Sequence, residues 1–298
     1  MQFFGDVIDK TFRSWKFWAF LMLAVMMTYV LFFPFFAPLI RDYSELNTLK
    51  ERMFGENDAI TCHRIYSMDP EIFEKISTSC PDKYYRPGTP TTEYEGLTVY
   101  SDTYQEFLRI RERTMEDIHR AIPFLLIVAL VSIYFNYVLV GVAYRSANGE
   151  QVIIKNELVR GIKSLPGLLV AELMVLFAVF LLGVTVGALL FAVFRGFGMI
   201  LVSFLMLPVT SLVAPAYYLT GNIIPLGEIF NAIRNNPAGY LVLALVITIL
   251  NSAFKAIYSN YIPLWSLLLL AGLGLMKFLV DSVGGLTVYL GGTEEEKG

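Results

Sequence analysis

Six long stretches of the chain carry few or no charges: 17–40, 121–144, 166–187, 197–219, 238–259 and 264–290. Each reaches the ~20 residues that a helix needs to cross ~30 Å of hydrocarbon. Inside a bilayer the backbone must bond to itself, so helices are the expected form. Lipid-facing strands would alternate apolar and polar positions, and these runs do not. The pattern predicts an all-α integral membrane protein with six transmembrane helices. The first run is longer than the ~7–15 residue core of a cleaved signal peptide, and no A-x-A site follows it in "PLIRDYSE". It is expected to stay as a signal-anchor helix.

Shorter amphipathic elements precede some of these runs. "ELVRGIKSLP" at 157–166 and "EIFNAIRNNP" at 228–237 share an early Glu, a basic residue three before a Pro, and an apolar run behind. Leu226, Ile229, Phe230 and Ile233 make one helical stripe, and Ile154, Leu158, Ile162 and Leu165 make another. Phe4, Ile8, Phe12 and Trp15 repeat the spacing ahead of the first run. The opposite faces carry Asp9, Lys10, Arg13 and Lys16, then Lys155, Glu157, Arg160 and Lys163, then Glu228 and Arg234. In the latter two copies acid comes early and base late, the order a helix dipole prefers. Pro166 and Pro237 are each expected to break the chain into the next helix. A basic amphipathic helix beside a membrane span suits the headgroup layer. Interfacial helices are therefore expected before helices 1, 3 and 5, with Arg13, Lys16, Arg160, Lys163 and Arg234 as headgroup contacts; the alternative is a loop helix packed on its neighbours.

Composition agrees: 56% of residues are hydrophobic, 16% are charged and the mean hydropathy is +0.58, where soluble domains carry roughly 25% charged residues. Charge is unevenly spread. Residues 41–118 hold 16 of 26 acidic and 10 of 23 basic residues, a net of −6, and the remainder has a net of +3. With the N-terminus inside, the cytoplasmic ends hold Lys10, Arg13, Lys16, Arg145, Lys155, Arg160, Lys163, Arg234 and Lys297, against Arg120, Arg195 and Lys255 outside. The positive-inside rule thus predicts a multi-pass cell-membrane protein with both termini cytoplasmic and 41–118 outside.

"GVAYRSANGEQVIIKNELVRGIKSLPGLLVAELMVLF", "LVAPAYYLTGNIIPLGEIFNAIRNNPAGYLVLALV" and "FFGDVIDKTFRSWKFWAFLML" resemble a polytopic membrane family. It includes the membrane domain of glycerophosphodiester phosphodiesterases and many stand-alone members of unknown function. The resembling features are a small-residue helix exit, a turn at Gly149-Glu150, an amphipathic helix and a Pro-initiated span. The likeness implies architecture; the phosphodiesterase chemistry of such relatives would sit in a separate soluble domain, which no stretch here matches. Segment 41–118 departs from the family, whose connection there is shorter.

That segment holds both cysteines, Cys62 and Cys80, on the expected oxidising side, where a lone pair points to a disulfide. "DPEIFEKISTSC" reads as a short helix started by Asp69-Pro70 and "PDKYYRPGTPTTEYEG" as a Pro/Gly-rich loop. "YSDTYQEFLRIRERTMEDIHRAI" reads as an outward extension of helix 2. Tyr43, Tyr66, Tyr84, Tyr85, Tyr94, Tyr100 and Tyr104 are either a ligand-facing surface or the core of a small module.

His63 and His119 are the only histidines, too few beside two cysteines to argue a zinc site. No Walker loop, G-x-S-x-G elbow or H-E-x-x-H helix is present, and no nucleic-acid signal. No cofactor is expected, and the chain reads as non-enzymatic. Ionisable groups in the spans are costly and mark candidate sites: Glu172, the Lys277/Asp281 and Asn251/Lys255 pairs at helical spacing, and Asn136. They are either a polar pathway or headgroup site, or a self-paired clasp with Glu172 and Lys255 reaching the interfaces. Gly183 and Gly187 form a G-x-x-x-G surface expected to pack within the chain. "GGTEEEKG" at 291–298 reads as a solvated tail.

The expected function is lipid handling, membrane organisation or support of a membrane-bound partner, with membrane lipids as partners. A permease-type subunit working with a separate ATPase is one alternative, and a ligand sensor acting through 41–118 another.

Overall fold

The computed structural model describes residues 2–68, 80–259 and 263–294. It is all-helical, 87% helix, apart from one hairpin. By length and composition, five helices among the described residues can cross a membrane, or six if the bent pair Trp15–Val30 and Phe33–Met68 counts as one span. The helix expected at Asp69-Pro70, Lys297 and the last four residues of the expected tail lie outside the described residues. The chain divides into two compact units.

The larger unit comprises residues 1–33, 125–255 and 264–298. Helix α1 (Gln2–Arg13) stops at Ser14, and α2 (Trp15–Val25) runs on through a π turn, Met26–Val30. The expected span 17–40 is therefore not one uninterrupted helix. Leu31 N–H donates five residues back to Met26 O, and α3 (Phe33–Met68) begins afresh. Pro34 lacks an N–H and disfavours helical geometry in the residue before it. The end of α4 (Ser101–Ala147) belongs here, as do α5 (Ile154–Phe194), α6 (Gly196–Met206), a 3₁₀ segment (Leu207–Leu212) and α7 (Val213–Thr220). Next come α8 (Leu226–Asn235), α9 (Pro237–Ser259), α10 (Pro263–Leu279), a π turn (Val280–Gly284) and α11 (Gly285–Glu294).

Two expected boundaries move. Pro166 sits inside α5, so 154–165 continues into the span instead of forming a separate element. A proline inside a membrane helix is tolerated where neighbours and local adjustment re-satisfy the freed carbonyl. Pro237, by contrast, does start a new helix after Asn236 leaves helical geometry. Residues 291–294, expected in a tail, continue α11. Asn235 Nδ2 donates to Gly292 O at 2.9 Å, and a methyl at Gly292 would lie 2.4 Å from Ala232 O, so the glycine lets α11 press onto α8.

Small and branched side chains build the unit's centre: Phe17, Leu21 and Ala24 meet Leu139, Val140, Ala143, Leu168 and Leu286. A second cluster gathers Ala171, Val175, Leu212, Ile229, Leu243 and Val288. The reverse faces expose Leu173, Phe180, Leu189, Ile200 and Val242, the inside-out pattern expected where the surrounding solvent is hydrocarbon. A methyl at Gly183 would lie 4.0 Å from Val202 Cγ1, so that face of the glycine looks onto α6 of the same chain.

The smaller unit comprises 34–124 and 256–263. Strand β1 (Thr91–Tyr94) pairs antiparallel with β2 (Leu97–Tyr100), Thr91 opposite Tyr100 and Tyr94 opposite Leu97. The expected loop holds over 81–90, and the hairpin takes its place from Thr91 on. Its two turn residues, Glu95 and Gly96, both have positive φ (50° and 81°), the requirement of a tight primed turn. The helical extension expected at 100–122 is present as the first part of α4. Leu49 and Met53 on α3 pack with Val99 on β2 and Phe107 and Ile110 on α4.

Candidate functional site

The spans bring three of the expected polar residues together. Lys277 Nζ lies 2.9 Å from Asp281 Oδ2, one helical turn along. Half-buried Glu172 on α5 lies within the electrostatic reach of both. Sequence reasoning missed the fourth member: Ser211 Oγ donates to Asp281 Oδ1 at 2.8 Å. Asp281 sits in the π turn and Ser211 in the 3₁₀ segment, and a methyl at Gly285 would come 2.2 Å from Ser211 O. The two irregular turns therefore touch because Gly285 has no side chain. Two carboxylates within reach of one ammonium outnumber it, which an isolated Lys–Asp pair does not. Asn251 and Lys255 are exposed on α9, outside this group. Asn136 Oδ1 is buried without a hydrogen-bond partner among the described residues.

A second cluster joins α4, α5 and α7. Glu157, expected on the charged face opposite the apolar stripe, is 2% exposed, with its Oε1 2.9 Å from Arg145 Nε. The contact is an ion pair without hydrogen-bond alignment, since neither atom has a hydrogen-bond partner. Its cause is burial beside Tyr218, whose hydroxyl accepts from Arg160 Nη1 at 2.9 Å. The Arg160 guanidinium also lies 4.2 Å from the centre of that ring. Tyr137 Oη donates to Ser164 Oγ at 3.0 Å and Tyr134 Oη to Leu158 O at 3.2 Å. Three tyrosines here have a glycine opposite: a methyl at Gly141 would meet Tyr218, one at Gly161 Tyr134, and one at Gly167 Tyr217. That tyrosine–glycine pairing is the signal that sequence reasoning passed over.

The remaining expected headgroup residues divide. Lys16 Nζ donates to Val152 O and Lys10 Nζ to Ala147 O, closing the loop between α4 and α5 onto α1 and α2. Arg13 pairs with Asp9 on the exposed side of α1 (2.9 Å), and Lys163 and Arg234 are exposed.

In the smaller unit Cys62 and Cys80 stand at disulfide distance, Cα atoms 6.0 Å apart. The chain after Cys80 is pinned along α3: Tyr84 lies over Gly55, Tyr85 stacks on His63 at 3.6 Å, and His63 Nε2 meets Asp82 at 3.1 Å. Arg86 grips Asp102 with both Nη atoms and reaches Glu56 Oε1 at 3.1 Å. The hydrogen bond to Asp102 raises Arg86 above its ordinary pKa and holds the Asp102 carboxyl below the usual carboxylate range. Five of the seven tyrosines serve this packing: Tyr84 and Tyr85 on α3, and Tyr94, Tyr100 and Tyr104 around the hairpin. Tyr43 and Tyr66 are exposed. Among the described residues no three His, Cys, Asp or Glu side chains are grouped to hold a metal. No family model, curated protein or solved structure matches the chain.

Proposed function

We propose that the protein is a non-enzymatic, multi-pass membrane protein that gathers anionic lipid headgroups at its cytoplasmic face. One observation carries the reading. Ile8, Phe12 and Trp15 on α1 and at the start of α2, Ile154 and Ile162 at the start of α5, and Phe230 on α8 are all exposed, and charged residues alternate with them. Arg13, Lys163 and Arg234 stand exposed on α1, α5 and α8. A helix packed on its neighbours all round would bury these residues too, as α8 buries Ile229 while leaving Phe230 exposed. One lying in the headgroup layer leaves them for lipid, with its cations toward phosphate. In this reading the bent pair counts as the first of six spans, interfacial segments precede spans 1, 3 and 5, and 41–118 lies outside.

The chain has three tryptophans, so Trp18→Phe with Trp265→Phe leaves Trp15 as the sole reporter. In nanodiscs, brominated phosphatidylglycerol at a low mole fraction should quench Trp15 more than brominated phosphatidylcholine at the same fraction. Added salt should narrow the difference, because the attraction is screened within ~10 Å at 0.1 M. Equal quenching by the two lipids overturns the headgroup preference. No quenching by either overturns the interfacial placement.

A further inference from the structure

The smaller unit contains a cleft of about 390 Å³ between α3, the hairpin tip and the first part of α4. That volume falls in the lower part of the range of small-molecule sites. Its floor is apolar, with Met53 on α3, Leu97 on β2 and Phe107 on α4. Lys50 and Arg111 also line it, each one helical turn from a floor residue: Lys50 before Met53, Arg111 after Phe107. Both cations are exposed, and neither enters an ion pair among the described residues. Arg64, Lys83 and Arg109 of this unit likewise enter no ion pair among the described residues, but they do not line the cleft. Arg41, Arg52, Arg86, Arg113 and Arg120 all engage carboxylates.

Glu95 supplies a second observation. It lines the same cleft with φ at +50°, a conformation in which Asn or Gly is the ordinary occupant of this turn. Residues held in such geometry cluster at ligand-binding positions. The Tyr94 hydroxyl also lines the cleft, and the neighbouring Glu95 carboxylate pushes its pKa up. Two cations against one carboxylate leave a single net positive charge over an apolar floor.

We propose that this cleft binds a small monoanionic amphiphile, one carboxylate on an acyl or aryl body, with the carboxylate between Lys50 and Arg111 and the body on Met53, Leu97 and Phe107. Size and charge set the class together. About 390 Å³ suits one short chain or one substituted ring, and a dianion would exceed the net charge of the rim. The Glu95 carboxylate in the lining turns away a second negative group, so it acts on specificity by repulsion. The inference is independent of the headgroup reading of the larger unit, and each can fail alone.

The test uses the full chain in nanodiscs of zwitterionic lipid, with empty nanodiscs as the blank. Two fluorinated probes, 4-(4-fluorophenyl)butyrate and 10,10,10-trifluorodecanoate, are titrated and read by fluorine NMR line broadening, each against its neutral amide. At least one carboxylate should broaden saturably above the blank, its amide binding more weakly. The double variant K50M/R111M should weaken that carboxylate about tenfold, the amount two exposed charge contacts supply. Glu95→Gln should tighten it severalfold while leaving the amide unchanged. A fold defect would weaken both probes and could not raise affinity, so the opposite signs separate charge recognition from misfolding. Binding of the decanoate alone assigns an acyl ligand, and binding of the aryl acid alone an aryl ligand. Equal binding of acid and amide overturns the proposal, as does indifference to the charge variants or the absence of binding by either probe.

Discussion

Glu56 holds the smaller unit together through one buried carboxylate, and Glu56→Ala should loosen a defined stretch of it. The side chain is 1% exposed and accepts from four donors. These are Arg52 Nε at 3.1 Å, Arg86 Nη2 at 3.1 Å, Thr103 Oγ1 at 2.7 Å and the backbone N–H of Tyr100 at 3.2 Å. Losing one partner of a buried ion pair costs ~3–5 kcal/mol. Here both arginines are about one-third exposed and can recover water, which lowers that figure. The Tyr100 N–H cannot, because its residue is 1% exposed, and an orphaned buried donor alone costs ~1–3 kcal/mol. A net loss of about 3 kcal/mol follows. Hydrogen exchange reads it locally: a peptide covering 97–103 should exchange about a hundredfold faster, since ~1.4 kcal/mol is tenfold. Glu56→Gln keeps one acceptor oxygen but turns an NH₂ toward another donor, so its effect should be about half as large on a logarithmic scale. Peptides from 137–143, in the other unit, should not change. Exchange at 97–103 within about threefold of wild type in Glu56→Ala would refute the reasoning, because the four contacts would then carry no net stability.

Two further outcomes follow from close contacts. A methyl at Gly141 would lie 2.7 Å from the Tyr218 ring and 2.8 Å from Glu157 Oε2. Gly141→Ala should therefore cost about 1–3 kcal/mol of overpacking, a fall of roughly 2–10 °C by fluorescence-detected chromatography after heating. Gly227→Ala, with nothing within 4 Å, is the neutral control; equal melting of the two variants contradicts the packing described. The second outcome concerns Asp102, which lies well before the apolar part of α4 and whose pKa is lowered first by its hydrogen bond to Arg86. A group with a depressed folded pKa stabilises above its unfolded value, ~3.9, and loses that contribution as pH falls through the folded value. Phosphine reduction of Cys62–Cys80 should accelerate as pH drops below about 4, once the grip of Arg86 on the following segment weakens. Asp102→Asn should start faster and show little of that dependence; a profile matching wild type removes Asp102 from the grip.

What was legible in the sequence depended on how local each cause was. Spans are legible because a run of ~20 uncharged residues is rare in any setting except a helix that crosses hydrocarbon. The Cys62–Cys80 pairing was legible because only two cysteines exist. The Lys277–Asp281 pair follows from helical spacing alone. The hairpin was hidden because its strands have four residues each, its turn is Glu-Gly instead of Asn-Gly, and prolines stand just before it. Glu157 was misread because its partner Arg145 belongs to a different helix, and spacing along one helix cannot show that. Pro166 was misread because the rule that proline ends helices comes from chains surrounded by water. With no water to solvate a freed carbonyl, continuing the helix is the cheaper course.

The intramembrane group shows where local reading stops and tertiary packing takes over. Helical spacing alone would leave Lys277 and Asp281 as a self-sufficient pair on a regular helix. The π turn at Val280–Gly284 changes this, because one extra residue in the turn rotates everything after it by roughly 100° about the helix axis. The rotation presents Gly285 to Ser211 O and Gly284 to the Leu243 side chain. Pro208, which cannot donate a backbone hydrogen bond, sits at the start of the opposing 3₁₀ segment, which leaves Ser211 facing Asp281. Each irregularity alone would cost hydrogen-bond geometry in a medium that offers no water to replace it. Placed against each other, they give Asp281 a second partner and bring a third ionisable group, Glu172, within its field. Two defects in register are better explained by the polar group they assemble than by two separate failures of helix formation.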